Sequence, residues 1–529
     1  MKPIIPHQKK THDTQLNKKE KILIFEKIGK TIIVFLAAPV LCFLGISSLF
    51  EWTYISQNVK ETCEFVKHDF WFLCALLVSA GLLFFARKII SKLNSKKLFL
   101  ALLSLYLIAG FYLLFNAEPI LRADAKIIYE NASAFNQGDF SSLATGGYLA
   151  RYPHQLGLVT LERIFILFGP YIRLFFTLNL LLVMGINFFQ WKIAEILSDG
   201  NALAVNYTII FSFFFLPQLF FILFVYGLIP GFCCTIAAVY FMMRYFCKRK
   251  LWECILSVVF IALSCALRNN FMIAAIAMFL VYVLDFFRSQ KKSSLILAVA
   301  VILCSVLLPK GINAWYRYES KMDFGEGTPK LLWVTMGLQD ADPYLLGGWY
   351  NNYVAEVPQK YQYDYDLSKA QAKMDLQERL EYLKENPGEA ATFFHNKIKS
   401  TWLDPLFQSI WTGSLPDCNQ HMSAKMLSDL YSGKGGYLYI TRFLNIILTL
   451  IYLLSLVYLI FAMAEKKIRC EALFAYLFFL GGFLFHLVWE TKSQYVYPYV
   501  FLLIPMAAMS VERLSVKITV RSQKFRESN

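Results

Sequence analysis

Charge is what this sequence has least of. Only 17% of its 529 residues are charged, while 57% are hydrophobic and 17% aromatic. A soluble chain of this length would carry about a quarter charged residues and roughly half apolar ones. Such a composition is not built to face water on all sides. Also missing are a glycine-rich phosphate loop, a G-x-S-x-G nucleophile elbow and any His/Cys/Asp cluster at metal-ligand spacing. Asp340 and Asp342 stand close together with no further ligand type around them, so neither a metal nor another cofactor is expected. The 11 cysteines follow no redox pattern; Cys74, Cys233, Cys234, Cys265 and Cys304 fall inside apolar runs and read as small core hydrophobes. A cleavable signal peptide is lacking as well. The first thirty residues are polar and Lys-rich, so the first apolar run is expected to remain as an anchor.

What the chain has in abundance is apolar runs near twenty residues long. They predict an all-α polytopic membrane protein of about twelve spans, at roughly 31–50, 69–86, 98–115, 172–192, 202–222, 229–246, 252–267, 271–287, 294–309, 438–462, 471–489 and 496–511. Pro217, Pro230 and Gly231 interrupt the fifth and sixth runs and predict kinked or short helices there. The net charge of +15 sits in the N-terminal tail (Lys18, Lys19, Lys21, Lys27, Lys30), in connectors at 87–97, 244–250, 288–293 and 465–469, and in the closing tail. With the N-terminus inside, all of these fall on the cytoplasmic side, as the positive-inside rule requires. The basic excess is therefore read as topology, with no nucleic-acid partner. The expectation is a multi-pass protein of the cell membrane with both termini cytoplasmic.

The chain accordingly divides into a basic tail (1–30), an N-terminal pair of spans (31–97), a membrane core (98–309) whose first outer loop runs about 116–171, a large outer loop (310–437), closing spans (438–511) and a tail (512–529). A loop of that size is too long for a plain connector. Inside it, "LSKAQAKMDLQERLEYLKENPG" places Ala372, Leu376, Leu380 and Leu383 on one helical face, with Asp366 or Ser368 as cap. A second helix is predicted in "EAATFFHNKIKSTWLDP", and "LERIFILFG" at 161–169 reads as a helix along the outer interface. Cys63 and Cys418 both fall outside by parity, which leaves a bridge between them open.

Polar residues at the rims of the outer segments carry the candidate chemistry. Asp124 follows the third span closely enough to reach a lipid head group, and its carboxylate can accept a proton from a hydroxyl nucleophile. "ARYPHQLG" supplies Arg151, a planar fork for phosphate, with Tyr152, His154 and Gln155 as aromatic and hydrogen-bonding partners for a sugar. Arg268 and Asn269 break the apolar hairpin in "ALRNNFMI", where a charge must be paired or reach the interface. "HLVWETKSQYVYP" concentrates His486, Glu490, Lys492 and Tyr495 in one turn. "KLLWVTMGLQDADPYLLGGWYNNY" adds Trp333, Trp349, Tyr350 and Asn351 as acceptor-side contacts. Each group has a plainer reading as a solvated turn or an interfacial belt.

In that order, "RADAKIIYENA", "YPHQLG", Trp333-x-x-Met336-Gly337-Leu338, "ENPGEAATFFHNKIKSTW" and "WETKSQYVYP" resemble the polytopic GT-C glycosyltransferases. Relatives of that superfamily include the protein O-mannosyltransferases and the aminoarabinose transferases of bacterial lipid A. The likeness is greatest to the Gram-positive branch that decorates cell-wall polymers, and it spans nearly the whole chain from about residue 98. The resemblance implies a sugar donor on polyprenyl phosphate, undecaprenyl phosphate in bacteria, and an extracytoplasmic acceptor such as a cell-wall glycan or teichoic acid. It implies inversion at the anomeric carbon, with Asp124 as base and Arg268 and Lys492 neutralising the departing phosphate. Unlike the O-mannosyltransferases, whose first-loop Asp precedes a Glu, this chain has Ala125 there. Two other readings use the same features: a transporter or flippase of lipid-linked glycans, and a wall-polymer polymerase or ligase. A carrier would place its ionisable residues near mid-membrane, whereas these lie at the outer rim.

Overall fold

The computed structural model describes residues 7–58, 61–340, 346–415, 418, 420–465 and 468–527, with side chains from 27 to 518. Asp342, Lys466 and Lys467 lie outside the described residues, as do the side chains of Lys18, Lys19 and Lys21 and of the tail beyond 518.

A long apolar segment must satisfy its backbone N–H and C=O groups within itself wherever water is absent, and a helix does this locally. The first such helix, α1 (His7–Phe50), leads into a two-stranded hairpin, β1 (Glu51–Ile55) and β2 (Cys63–Lys67), and then into α2 (Phe70–Ile90) and α3 (Ser95–Asn116). Three short helices follow, α4 (Ala123–Asn136), α5 (Tyr148–Arg151) and α6 (Leu156–Ile166). Next come α7 (Ile172–Leu197), α8 (Ala202–Phe214), α9 (Pro217–Phe220), α10 (Leu228–Lys248), α11 (Leu251–Leu267), α12 (Met272–Ser289) and α13 (Lys292–Ser320). The large loop holds α14 (Leu331–Leu338), α15 (Tyr353–Lys360), α16 (Tyr365–Glu385), α17 (Pro387–Trp402) and α18 (Lys425–Tyr431). The chain closes with α19 (Tyr437–Ala464), α20 (Leu473–Val488), α21 (Tyr497–Phe501) and α22 (Ile504–Glu527).

Among the described residues, nine helices are long and apolar enough to cross a membrane, or ten if α8 and α9 form one bent span. The protein is thus an all-α, polytopic membrane protein. The expected spans at 252–267 and 471–489 coincide with α11 and α20, apolar helices of 17 and 16 residues. Pro217 breaks α8 from α9 at 45°, because proline locks φ and lacks the amide the helix would use. Pro230 and Gly231 do not shorten α10, since Pro230 lies in its first turn.

The basic connectors gather at one end of the bundle. There Arg249 forks onto Asp285 with two bonds of 2.7 Å, Arg244 meets Glu253 at 2.6 Å, and Arg469 meets Asp199 at 2.6 Å. The opposite end carries segments 117–171, 321–436 and 489–496. At this loop end the β1–β2 hairpin, absent from the sequence reading, docks on α17: Thr53 N donates to Leu403 O at 2.9 Å, Thr53 Oγ1 to Lys399 O at 2.8 Å, and Lys399 pairs with Glu51 at 2.8 Å. Cys63 and Cys418 are both free thiols.

The two predicted loop helices form, with corrections. α16 is capped by Asp364, whose carboxylate accepts from Leu367 N at 2.8 Å, rather than by Asp366 or Ser368. Of its predicted face, Ala372 and Leu383 are buried while Leu380 is exposed. In α6 the neighbouring charges part: Glu162 points inward and is fully buried, whereas Arg163 forks onto Glu319. Leu167 and Phe168, just past its end, are exposed.

One buried amine ties the large loop to the closing helices. Lys397 on α17 is 1% exposed, and its Nζ donates to Gly337 O, to Leu487 O at 3.0 Å and to Trp489 O at 2.9 Å. It thereby answers the free carbonyls at the ends of α14 and α20, which no intrahelical amide can reach. Burial lowers its pKa to about 7. Lys397→Met keeps the length but leaves those acceptors unsatisfied. It should cost about 3 kcal/mol, read as a lower Tm of the purified protein in detergent; an unchanged Tm would show the amine to be dispensable.

Candidate functional site

Two close backbone approaches build the site around Arg268. This residue ends α11 in extended conformation, directly after Ala266 and Leu267, whose carbonyls are no longer covered by helix. The first turn of α6 closes on one of them. A Cβ on Gly157 would lie 2.0 Å from Ala266 O, so only glycine fits. The loop before α10 closes on the other through Gly227, whose φ is +75° and whose Cβ would lie 2.6 Å from Leu267 O. These contacts bring "YPHQLG" and Tyr226 to Arg268.

Arg268 Nη1 donates to Tyr226 O at 2.9 Å, and its guanidinium lies 5.4 Å and 5.5 Å from the ring centres of Tyr226 and Tyr495. The Tyr226 hydroxyl receives Gln155 Nε2 at 2.8 Å and donates to Asp124 Oδ2 at 3.2 Å. Asp124 sits exposed in the first turn of α4, behind Ala123 at φ +48°, where the helix N-terminus favours an anion. Tyr148 completes the group. Burial, then Tyr226 and Asp124, raise its pKa far, and burial with Asp124 does the same for Tyr226. Both phenols therefore stay protonated, and Tyr226 serves Asp124 as a donor.

Tyr495 carries the cluster onward. Its hydroxyl reaches Glu490 Oε1 at 3.4 Å, and its ring stacks on buried His486 at 5.8 Å. Glu490 is 5% exposed, and burial, opposed by Lys492, pushes its pKa up to about 7. Lys492 bonds both carboxylate oxygens of Glu61 at the hairpin tip, at 2.8 Å and 2.6 Å. On the other flank, Arg151 lies 5.3 Å from the ring centre of Tyr152, with its Nε buried and unpartnered among the described residues. Tyr152 and His154 approach Trp333 edge-on at 6.0 Å and 6.4 Å. Trp333 in turn lies parallel to Trp489 at 6.1 Å. His154 keeps accessible surface; desolvation by the surrounding protein, with Lys330 and Arg268 nearby, pulls its pKa down to about 4. It is a neutral ring.

Of the residues singled out from sequence, Asp124, Arg151, Tyr152, His154, Gln155, Arg268, Glu490, Lys492 and Tyr495 share this connected cluster. Asn269 is exposed on the short turn after Arg268. Trp349 does not join: it is 1% exposed and spends its indole N–H on Ser400 Oγ at 3.0 Å, so it offers no face to an acceptor. Sequence reasoning missed Tyr148, Tyr226 and Glu61. Tyr226 left a trace, since "YG" interrupts an apolar stretch at the mouth of α10; Glu61 left none. A separate groove of about 310 Å³ between α16 and α17 is bordered by Asp340 and Arg379, already paired at 2.9 Å. Among the described residues no group of three or more His, Cys, Asp or Glu is placed to hold a metal ion.

Fold and site together define a polytopic α-helical membrane protein with a tyrosine-rich ionisable cluster at its loop-bearing end. Compared with known proteins, the chain matches no family model and no curated sequence.

Two outcomes test this geometry. Gly157→Ala forces the first turn of α6 off Ala266 and should cost roughly 1–3 kcal/mol, seen as a lower Tm; unchanged stability would mean the approach is soft. Folded Glu490 keeps its proton up to about pH 7, whereas an unfolded glutamate releases it near 4.3. Its burial therefore costs stability progressively as pH rises through that window, and the cost is constant above it. Glu490→Gln should gain on the parent protein by about 2–3 kcal/mol between pH 5 and 7.5. Parallel Tm–pH curves would contradict this.

Proposed function

We propose that the protein is a GT-C-like membrane glycosyltransferase that moves a sugar from a polyprenyl-phosphate donor onto an extracytoplasmic acceptor, a cell-wall glycan or similar polymer. The observation that carries this reading is the linkage of Asp124 to Arg268 through Tyr226, which sets a carboxylate and a fixed cation in one cluster. Counting α11, α20 and the α8–α9 pair as spans gives twelve crossings, an even number that leaves both termini on one side; the basic connectors support the cytoplasm as that side and the outside for the loop end. Activated nucleotides are absent on that side, so the donor arrives already attached to lipid.

In this mechanism the acceptor hydroxyl attacks the anomeric carbon from the face opposite the phosphate. The bond from that carbon to the phosphate oxygen breaks, the electron pair leaves with the lipid phosphate, and the configuration inverts. Asp124 takes the hydroxyl proton as general base. Tyr226, itself held by Gln155, holds the carboxylate in place. Arg268, seated between Tyr226 and Tyr495, meets the charge that develops on the leaving phosphate, with Arg151 and Lys492 flanking it. Tyr152, His154 and Trp333 offer ring faces and edges to the sugar, and Glu490 and Asn269 offer polar contacts.

Asp124→Asn keeps the shape and removes the base. With a polyprenyl-phosphate sugar and isolated membranes, transfer should fall by about 10²–10⁴-fold at normal expression. Full activity would take Asp124 out of the mechanism. Deleting the chain should make a polyprenyl-linked sugar accumulate, and the identity of that lipid names the donor.

A further inference from the structure

The pair between Glu61 and Lys492 joins residues 431 positions apart, and its surroundings are richer in donors than one carboxylate can use. Gln408 Nε2 also donates to Glu61 Oε1, at 3.0 Å. Trp411 neighbours both cations: the Lys492 ammonium is 5.3 Å and the Arg122 guanidinium 4.2 Å from its ring centre. Arg122 gives Nε to Gly413 O at 3.3 Å, while its Nη2 is buried with no hydrogen-bond partner among the described residues. Burial lowers the Arg122 pKa, against the pull of Cys418 and Glu61. Glu490, also within the field of Lys492, is held toward its neutral form by burial. Two cations on one indole thus stand near the Glu61 carboxylate, and among the described residues one buried guanidinium N–H has no acceptor.

The carboxylate itself is delivered under strain. Glu61 has φ +50°, a left-handed backbone that costs a non-glycine residue roughly 1–2 kcal/mol. The hairpin tip is pinned by Ser56 N to Thr62 O at 2.9 Å, Thr62 N to Ser56 Oγ at 3.0 Å and Trp411 Nε1 to Asn58 O at 2.8 Å. Glu61 can swing out of the pair while those bonds hold the tip.

We propose that Arg122 and Lys492, set against Trp411, form a binding site for a phosphate group, and that Glu61 occupies it in this structure in the ligand's place. A phosphate ester brings more oxygens than a carboxylate, enough to take Lys492 Nζ, Arg122 Nη2 and Gln408 Nε2 at once, and its charge suits a bidentate guanidinium. Binding displaces the Glu61 side chain from Lys492 while the hairpin tip stays in place. The identification of the ligand as a lipid phosphate rests on the function proposed above; the site itself does not.

The test uses the full-length protein in detergent, with two probes: a polyprenyl phosphate and inorganic phosphate. Glu61→Gln should tighten binding about tenfold, and Lys492→Met or Arg122→Met added to it should erase the gain. A gain with the lipid probe alone identifies a lipid head group. A gain with inorganic phosphate, with no lipid binding by either protein, leaves the site standing and removes the lipid-donor reading. Equal or weaker affinity for both probes in Glu61→Gln at unchanged Tm overturns the proposal. Glu61→Asp guards against a folding defect: it keeps the charge but withdraws it by one methylene. Loss of Tm in both variants without tighter binding makes Glu61 a structural latch and also overturns the proposal.

Discussion

The loop end of this protein depends on how closely the first turn of α6 and the loop before α10 can approach the last carbonyls of α11. Ala266 O and Leu267 O lie where helical hydrogen bonding runs out, and Gly157 and Gly227 are the residues that let the chain come down on them from two sides. Everything polar nearby takes its position from that approach. Tyr226 stands beside Gly227 and gives its carbonyl to Arg268; Gln155 stands two residues before Gly157 and gives its amide to Tyr226. A guanidinium anchored by a backbone carbonyl has lost most of its freedom to reorganise, the condition under which a fixed charge acts on a reacting group without first rearranging.

The two ends of the bundle treat charge differently. At the basic end, buried acids meet arginines directly: Asp285 with Arg249, Glu253 with Arg244, Glu471 with Arg288. Those acids are almost fully enclosed, and removing either partner would strand a charge in a medium that cannot solvate it. At the loop end the partners of Arg268 and Arg151 are tyrosine rings and a backbone carbonyl. A phenol kept protonated by burial orients Asp124 without neutralising it, and aromatic faces hold the arginines without consuming their charge. At the basic end these charges are spent on one another, whereas around Arg268 and Arg151 they are kept.

The helices were legible because their signal is local. Twenty apolar residues bounded by Lys and Arg say the same thing whatever surrounds them, and "NPG" before α17 puts proline at its first position, where the missing amide costs nothing. Asp124, Gln155 and Arg268 could be picked out because polar groups beside apolar runs need a reason. The rest depended on docking. Glu61 sits in a short polar turn that resembles any solvated hairpin, and its partner is 431 residues away. Trp349 stood out from sequence as an acceptor-side contact, but its burial against Ser400 on α17 is set by docking. Nothing in its own helix singles out Lys397, whose role follows from three carbonyls on two other elements. Such pairings are properties of the assembled fold.

The hairpin changes how the N-terminal pair of spans is to be understood. From sequence, 31–97 is an addition preceding the core. In the fold, α1 packs along α19 and against α12 and α20, Thr449 Oγ1 donates to Ser48 O at 3.2 Å, and β1 is bonded to the end of α17. The hairpin is held at its base by that docking and at its tip by Trp411, so Glu61 reaches Lys492 from a fixed arm. A loosely tethered loop would lose conformational entropy on placing a carboxylate there; a two-stranded arm docked at both ends has already lost it. The carboxylate on Lys492 is therefore held by the whole N-terminal unit, and any anion arriving at that lysine meets a built-in competitor whose strength is set by α1, the hairpin and α17 together.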